Sequence, residues 1–334
     1  MVKYAPISLA FGLALLVACI ERIDLATPDY VRKLVVEASV TTQHQPLTVK
    51  LSENAPYSSN PDLFKQGIPV KNAIVKVYDM TLNTSTGFQQ TSDGIYSSTD
   101  SSFYGLVGNT YLLEIIIGEN TYHSEEVTIR PVAAIDSVYY SFLPETNTVG
   151  VFVDTWDLPE KGDAYKWSWK GYYKILTSLP GPPLYPDTFD CCVTCFMPVQ
   201  GFDVNLMSDT YINGNKIERK QVAEIPMDDV SDFLVEIEQQ SLTEEAYEFW
   251  NKLLLQRQSK GGLFDPLPFN IPGNIYNINN RDEIILGFFT ATAVAEKHVM
   301  VKRREFSNQP FKVISQKDCR DIPFAREKVP DNWN

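Results

Sequence analysis

The sequence predicts a mainly β protein. Three observations carry this: short segments that alternate apolar and polar residues with period two, turn signals placed closely between them, and helical periodicity prominent only near residue 250. The expected architecture is a β-sandwich domain over 33–132, then a second β-rich domain over 133–334 with one amphipathic helix at about 241–259.

The chain of 334 residues opens with a segment that precedes this body. Lys3 stands before an apolar run from Ile7 to Val17. That run is too short to span a bilayer as a mature helix and has the length and flanks of a signal-peptide core. It ends Leu16-Val17-Ala18-Cys19. Small residues before a Cys at the cut resemble the bacterial lipoprotein signal, in which the Cys thiol takes a diacylglyceryl group. Residues 1–18 are then the signal peptide, Cys19 the lipidation site and 19–32 a polar tether. A plain cleaved signal and an uncleaved helix are the alternatives. Several acyl chains on Cys19 hold a soluble body at a bilayer, where a single chain is marginal.

The first strands are expected at Leu34–Val40, Leu47–Leu51 and Val70–Tyr78, each alternating apolar with polar. Asp93-Gly94 is a turn signal before Ile95-Tyr96. Tyr111–Ile117 is rich in branched and aromatic residues and suits a strand. Pro131 punctuates the end of the first domain. In the second, Val149–Val153 is a strand. Tyr165 to Lys170 alternates aromatic and polar, which reads as the core face of a strand in preference to a sugar-stacking surface. Ser231–Gln239 is a further strand. Ser241-Leu242-Thr243-Glu244 has the capping-box pattern, and Leu242, Ala246, Trp250 and Leu253 recur at helical spacing beside Phe249 and Leu254. Gly261-Gly262 ends that helix. Residues 261–280 form an irregular Pro- and Gly-rich segment whose Phe264, Phe269 and Tyr276 are the candidate docking or ligand surface. Glu283–Ala293 and Lys297–Lys302 are expected to close the fold as a hairpin.

With Cys19 lipidated, Cys191, Cys192, Cys195 and Cys319 remain. An even number in an exported chain reads as two disulfides. A zinc site built on Cys192-x-x-Cys195 and a redox motif are the alternatives. A bond between the adjacent Cys191 and Cys192 is strained, so the expected arrangement is one local bond and one long-range tie to Cys319.

Composition narrows the function. The formal charge of −13 repels phosphate backbones, so a nucleic-acid partner is not expected. The sequence holds no H-E-x-x-H, G-x-S-x-G, P-loop or G-x-G-x-x-G pattern. His44, His123 and His298 lie in unrelated strand contexts. Asp154, Asp157, Glu160 and Asp163 cluster in a turn that could offer oxygens to calcium, but their spacing favours a solvated turn. No catalytic residue, metal ligand or cofactor is therefore assigned, and an enzyme is not expected.

Several phrases together resemble one family of Bacteroidetes lipoproteins built on a domain of unknown function. They are Leu34-Val35-Val36-Glu37, Pro69 to Val77, Asp93-Gly94-Ile95-Tyr96 and Ile135-Asp136-Ser137-Val138. The longest stretch runs from Ser241 to Ala291 and includes Gly262-Leu263-Phe264-Asp265, Gly273-Asn274-Ile275 and Leu286-Gly287-Phe288-Phe289. Members of that family accompany SusC-like TonB-dependent transporters. The resemblance implies an outer-membrane lipoprotein, surface-facing or periplasmic, that works beside a transporter barrel as an accessory or ligand-capturing subunit; it transfers no catalytic residue. The N-terminal phrase also resembles transthyretin-like and carboxypeptidase-regulatory-like sandwiches, so the expected fold of the first domain is an Ig-like/transthyretin-like β-sandwich. A surface adhesin or structural module, and a surface hydrolase, are the competing readings.

Overall fold

Alternation along the first strands sets two layers around one core. The computed structural model describes residues 31–55, 67–159, 162–180, 189–201, 204–209, 213–227, 231–258, 270–306 and 318–333; within them, the side chains at 178–180 and 189–192 stay outside the description. The expected signal peptide, Cys19 and almost all of the tether lie outside the described residues, as do Phe264 and Phe269.

In β1 (Leu34–Thr41), Leu34, Val36, Ala38 and Val40 are buried while Glu37 is exposed. In β7 (Thr110–Ile117), Tyr111, Leu113 and Ile115 are buried in turn. These are the period-two faces that a half-buried strand requires. One layer holds β1, β2 (Thr48–Glu53), β3 (Ile68–Pro69) and β6 (Ile95–Ser98). The other holds β4 (Ile74–Asp79), β7, β8 (Asn120–Ser124) and β9 (Val127–Thr128). The long β5 (Thr84–Ser92) belongs to both: Thr84–Gly87 pairs with β4, and Phe88–Ser92 pairs with β6. The two layers are thus one continuous sheet folded over its own core.

Two late strands complete this sheet. β17 (Ile275–Asn277) adds antiparallel to β8, and β18 (Leu286–Thr292) adds parallel to β1 with Val36 opposite Gly287. The two far edges then meet at an isolated bridge between Pro272 and Leu286 and through one side chain. Asn274 Nδ2–H donates to the Phe289 carbonyl (2.8 Å), and the Phe289 N–H donates to Asn274 Oδ1 (2.9 Å). The amide side chain stands in for a strand neighbour, satisfying backbone groups that an open edge would leave exposed. A core change does fall near residue 132, but Ile275, Ile285, Phe289, Ala291 and Ala293 return to the first core from late in the chain.

The second core lies between two further sheets. One is β10 (Ile135–Leu143), β11 (Thr148–Trp156) and β15 (Lys216–Pro226). The other joins β13 (Phe189–Gln200), β12 (Ala164–Pro180), β16 (Asp232–Leu242) and β19 (Val294–Lys302), with β14 (Asn205–Ser208) beside β12. Tyr165 and Trp167 are almost wholly buried in this core, so the aromatic stripe is a core face, as its alternation indicates. Gln239 stitches the two layers. Its Oε1 accepts from Trp167 Nε1 (3.0 Å), and its Nε2 donates to Ala133 O (3.2 Å) and Thr155 Oγ1 (3.3 Å).

Three expectations are corrected. The closing hairpin does not form: β18 joins the first sheet, while β19 pairs with β16 in another. Periodicity identifies a strand but carries no information on its partner, which is set by distant residues. The helix N-cap falls two residues later than the capping pattern suggests, at Thr243 instead of Ser241. α1 (Glu244–Gln258) is capped by Thr243, whose Oγ1 accepts from the Ala246 N–H at 3.3 Å. Ser241 is instead a buried strand residue; its Oγ donates to Arg130 O (2.7 Å) and accepts from the Ala293 N–H (3.0 Å). The carboxylate turn is solvated only in part: Asp154 is half-buried and Glu160 lies outside the described residues. Asp157 and Asp163 are buried, Asp157 accepting from Tyr165 Oη (2.7 Å) and the Gly214 N–H (2.8 Å). Asp163 pairs with Arg130 at 3.2 Å.

Cys195 and Cys319, both fully buried, are joined by a disulfide across 124 residues, with Cα atoms 6.0 Å apart. This is the expected long-range tie. It fixes residues after 318 on β13, where Phe196 and Arg326 exchange backbone hydrogen bonds of 2.7 and 3.0 Å. The side chains of Cys191 and Cys192 lie outside the description, and so does the expected local bond. No helix among the described residues is long and apolar enough to cross a membrane.

Candidate functional site

The outer face of β12 carries the residues that alternate with the core aromatics. Tyr165 and Trp167 point into the second core, so Lys166 projects to the opposite side. There α1 packs Ala246 and Phe249 against Ala164, Leu242, Ile271 and Phe288 as a third, smaller core. The helix covers this face only in part. Between α1 and the outward face of β1, β2 and β18 lies a groove of about 700 Å³. That volume is within the range of small-molecule sites.

The walls are chiefly apolar, with Val35, Trp250, Leu253, Ile271, Leu286 and Phe288 among the lining residues. Charge enters at three points: Glu37 and Lys50 on the sheet side, and Lys166 on the β12 side. Lys50 Nζ and Glu37 Oε1 neutralise each other at 2.9 Å. Lys166 has no such counterpart. Among the described residues its ammonium makes neither a hydrogen bond nor an ion pair. It stands over the Trp250 ring, 4.2 Å from the centroid, a cation–π contact worth about 0.5–2 kcal/mol. Burial pushes its pKa down to about 8, against the opposing attraction of Glu238. The Trp250 Nε1–H is buried and also lacks an acceptor among the described residues.

The glycine at the groove floor has a structural cause. Gly287 has φ +89°, and a Cβ there would overlap the Val36 carbonyl oxygen. A Cβ on Gly273 would likewise overlap the Gly287 carbonyl oxygen. Bare backbone at both positions lets three chain segments pass at van der Waals distance, closing the sheet beneath the groove.

Of the sequence-predicted surface residues, Tyr276 is described and is not part of the groove lining. It lies half-buried on β17, with the Arg281 guanidinium carbon 3.4 Å from its ring centroid and the His123 ring at 6.4 Å. No sequence motif joins Lys166 to Trp250, although strand alternation and helical spacing respectively fix the face each occupies. Among the described residues, no group of three or more His, Cys, Asp or Glu is placed to hold a metal ion. What the groove offers chemically is an apolar slot with one ammonium, Lys166, that has no acceptor among the described residues.

Residues 20–298 match the model of the family described as Domain of unknown function (DUF4249), and the chain belongs to that family. A comparison with curated proteins finds no match.

Proposed function

We propose that this chain is a non-enzymatic, lipid-anchored outer-membrane protein that captures a small ligand in the groove beside α1 and serves a TonB-dependent transporter as an accessory subunit. The observation that carries ligand capture is the groove itself, an apolar slot of about 700 Å³ with the Lys166 ammonium, which has no ion-pair partner among the described residues, in its wall. The Leu16-Val17-Ala18-Cys19 signal supports the anchor, and the resemblance of the Ser241–Ala291 stretch supports the partner and a surface-facing orientation. Anchoring confines the body to two dimensions beside a barrel, which raises effective concentration without a large interface.

The test is isolation of the tagged full-length protein from detergent-solubilised outer membranes of its native host. Labelled palmitate on Cys19 and a co-purifying TonB-dependent barrel are expected, and Cys19→Ala should release the protein from the membrane. A membrane-bound protein that brings down no barrel would overturn the accessory role and leave a free-standing binding module. Protease access in intact cells distinguishes the two faces of the membrane.

A further inference from the structure

Resting on the reading of the groove as a ligand site, we propose that its ligand is an organic acid: a carboxylate held by Lys166, with an apolar body lying against α1 and β18. Three observations lead there. Lys166 and Trp250 contribute only donors at this wall, an ammonium and an indole N–H, and neither side chain can accept. Among the described residues neither donor has an acceptor. A group bound at the ammonium must present lone pairs, and a carboxylate does so with charge as well.

The second observation is charge balance. The chain as a whole carries −13, yet among the described residues the groove lining holds two ammoniums and one carboxylate, of which Lys50 and Glu37 cancel. What remains is one positive charge inside an apolar slot. Glu238 of β16, whose charge acts on Lys166, is engaged by Lys170 at 3.6 Å, and on α1 Glu248 is engaged by Lys252 at 3.1 Å. The third observation is the lining. Trp250, Leu253, Ile271, Leu286 and Phe288 offer apolar contact beyond the ammonium, which suits a hydrocarbon or aromatic body and not a bare inorganic anion.

The probes are 11-(dansylamino)undecanoic acid and its methyl ester, titrated against the full-length protein by fluorescence. The acid should bind about tenfold or more tightly than the ester. Lys166→Met should remove that preference and leave ester affinity within about twofold, while Lys166→Arg keeps it. Acid affinity should also fall between roughly pH 7 and pH 9.5 as Lys166 loses its proton, whereas ester affinity stays level. This pH titration needs no variant, so it stands even where Lys166→Met misfolds. Equal affinity for acid and ester, or acid binding unchanged in Lys166→Met, would overturn the proposal while leaving the groove as a ligand site. Binding of neither probe would overturn both.

Discussion

The Lys166 ammonium sits 4.2 Å from the centroid of the Trp250 ring, joining β12 to α1 across the wall of the groove. The pairing follows from two periodicities. Alternation along β12 sends Tyr165 and Trp167 into the core and leaves Lys166 on the other face. Helical spacing from Ala246 and Phe249 brings Trp250 over that face. The contact retains a charge in a place where burial disfavours it.

That charge should make stability depend on pH. Burial lowers the Lys166 pKa from 10.5 to about 8 in the folded chain. Between those values the unfolded chain holds a proton that the folded chain has released, so this residue makes stability rise with pH across that window. Below it both states are protonated, and folding carries the full cost of burying the charge. Lys166→Met is expected to stabilise the protein at neutral pH by about 1 kcal/mol or more. Denaturant unfolding at neutral pH and near pH 10 checks this; the gain should shrink at the higher pH.

Gly287 and Gly273 should tolerate no side chain. Gly287→Ala strains a residue at φ +89° and drives its Cβ into the Val36 carbonyl, and Gly273→Ala meets the Gly287 carbonyl. Each is expected to cost about 3 kcal/mol or more, because the atoms met are backbone and not the end of a flexible side chain. Gly87→Ala, where the added methyl meets nothing within 4 Å, is the control. Thermal melts of the three variants decide the matter.

The disulfide should contribute substantially to stability. Joining Cys195 to Cys319 closes a loop across 124 residues, for which restriction of the unfolded chain is worth about 4–5 kcal/mol, typically less in practice. The double variant Cys195→Ser, Cys319→Ser should lower the unfolding midpoint markedly. Peptide mapping without reductant should recover the 195–319 pair.

Gln239→Leu should weaken the second core. It removes the acceptor of Trp167 Nε1 and the donor to Ala133 O and Thr155 Oγ1, all in a site with no solvent exposure at Gln239. Stranding the indole N–H costs about 1–3 kcal/mol. Hydrogen exchange at β12 should accelerate more than exchange at β7 in the first core.

Much of this fold is written locally. The strands at Leu34–Thr41 and Thr110–Ile117 show their buried faces in their alternation, and α1 shows its own in the spacing of Ala246, Phe249 and Trp250. The long-range tie from the CxxC region to Cys319 is also expected, from the even cysteine count together with the strain of an adjacent-Cys bond. What local pattern cannot convey is which strands become neighbours. β18 reads equally well as half of a hairpin, and only its parallel register with β1 places Gly287 opposite Val36. The groove inherits that limit. It is formed by residues from 35 to 292 that share no motif, so no segment taken alone announces it. The segment 261–280 stands out in sequence by its aromatic content; Tyr276 from it stacks with Arg281 and is not among the groove-lining residues.

The most direct measurement is the pKa of the Lys166 ammonium, read by NMR on isotopically labelled lysine in the full-length protein, with and without 11-(dansylamino)undecanoic acid. The account predicts about 8 in the free protein and a clear rise when the acid is bound, as its carboxylate supplies the missing counter-charge. A Lys166 pKa that does not move on saturation with the acid would contradict it.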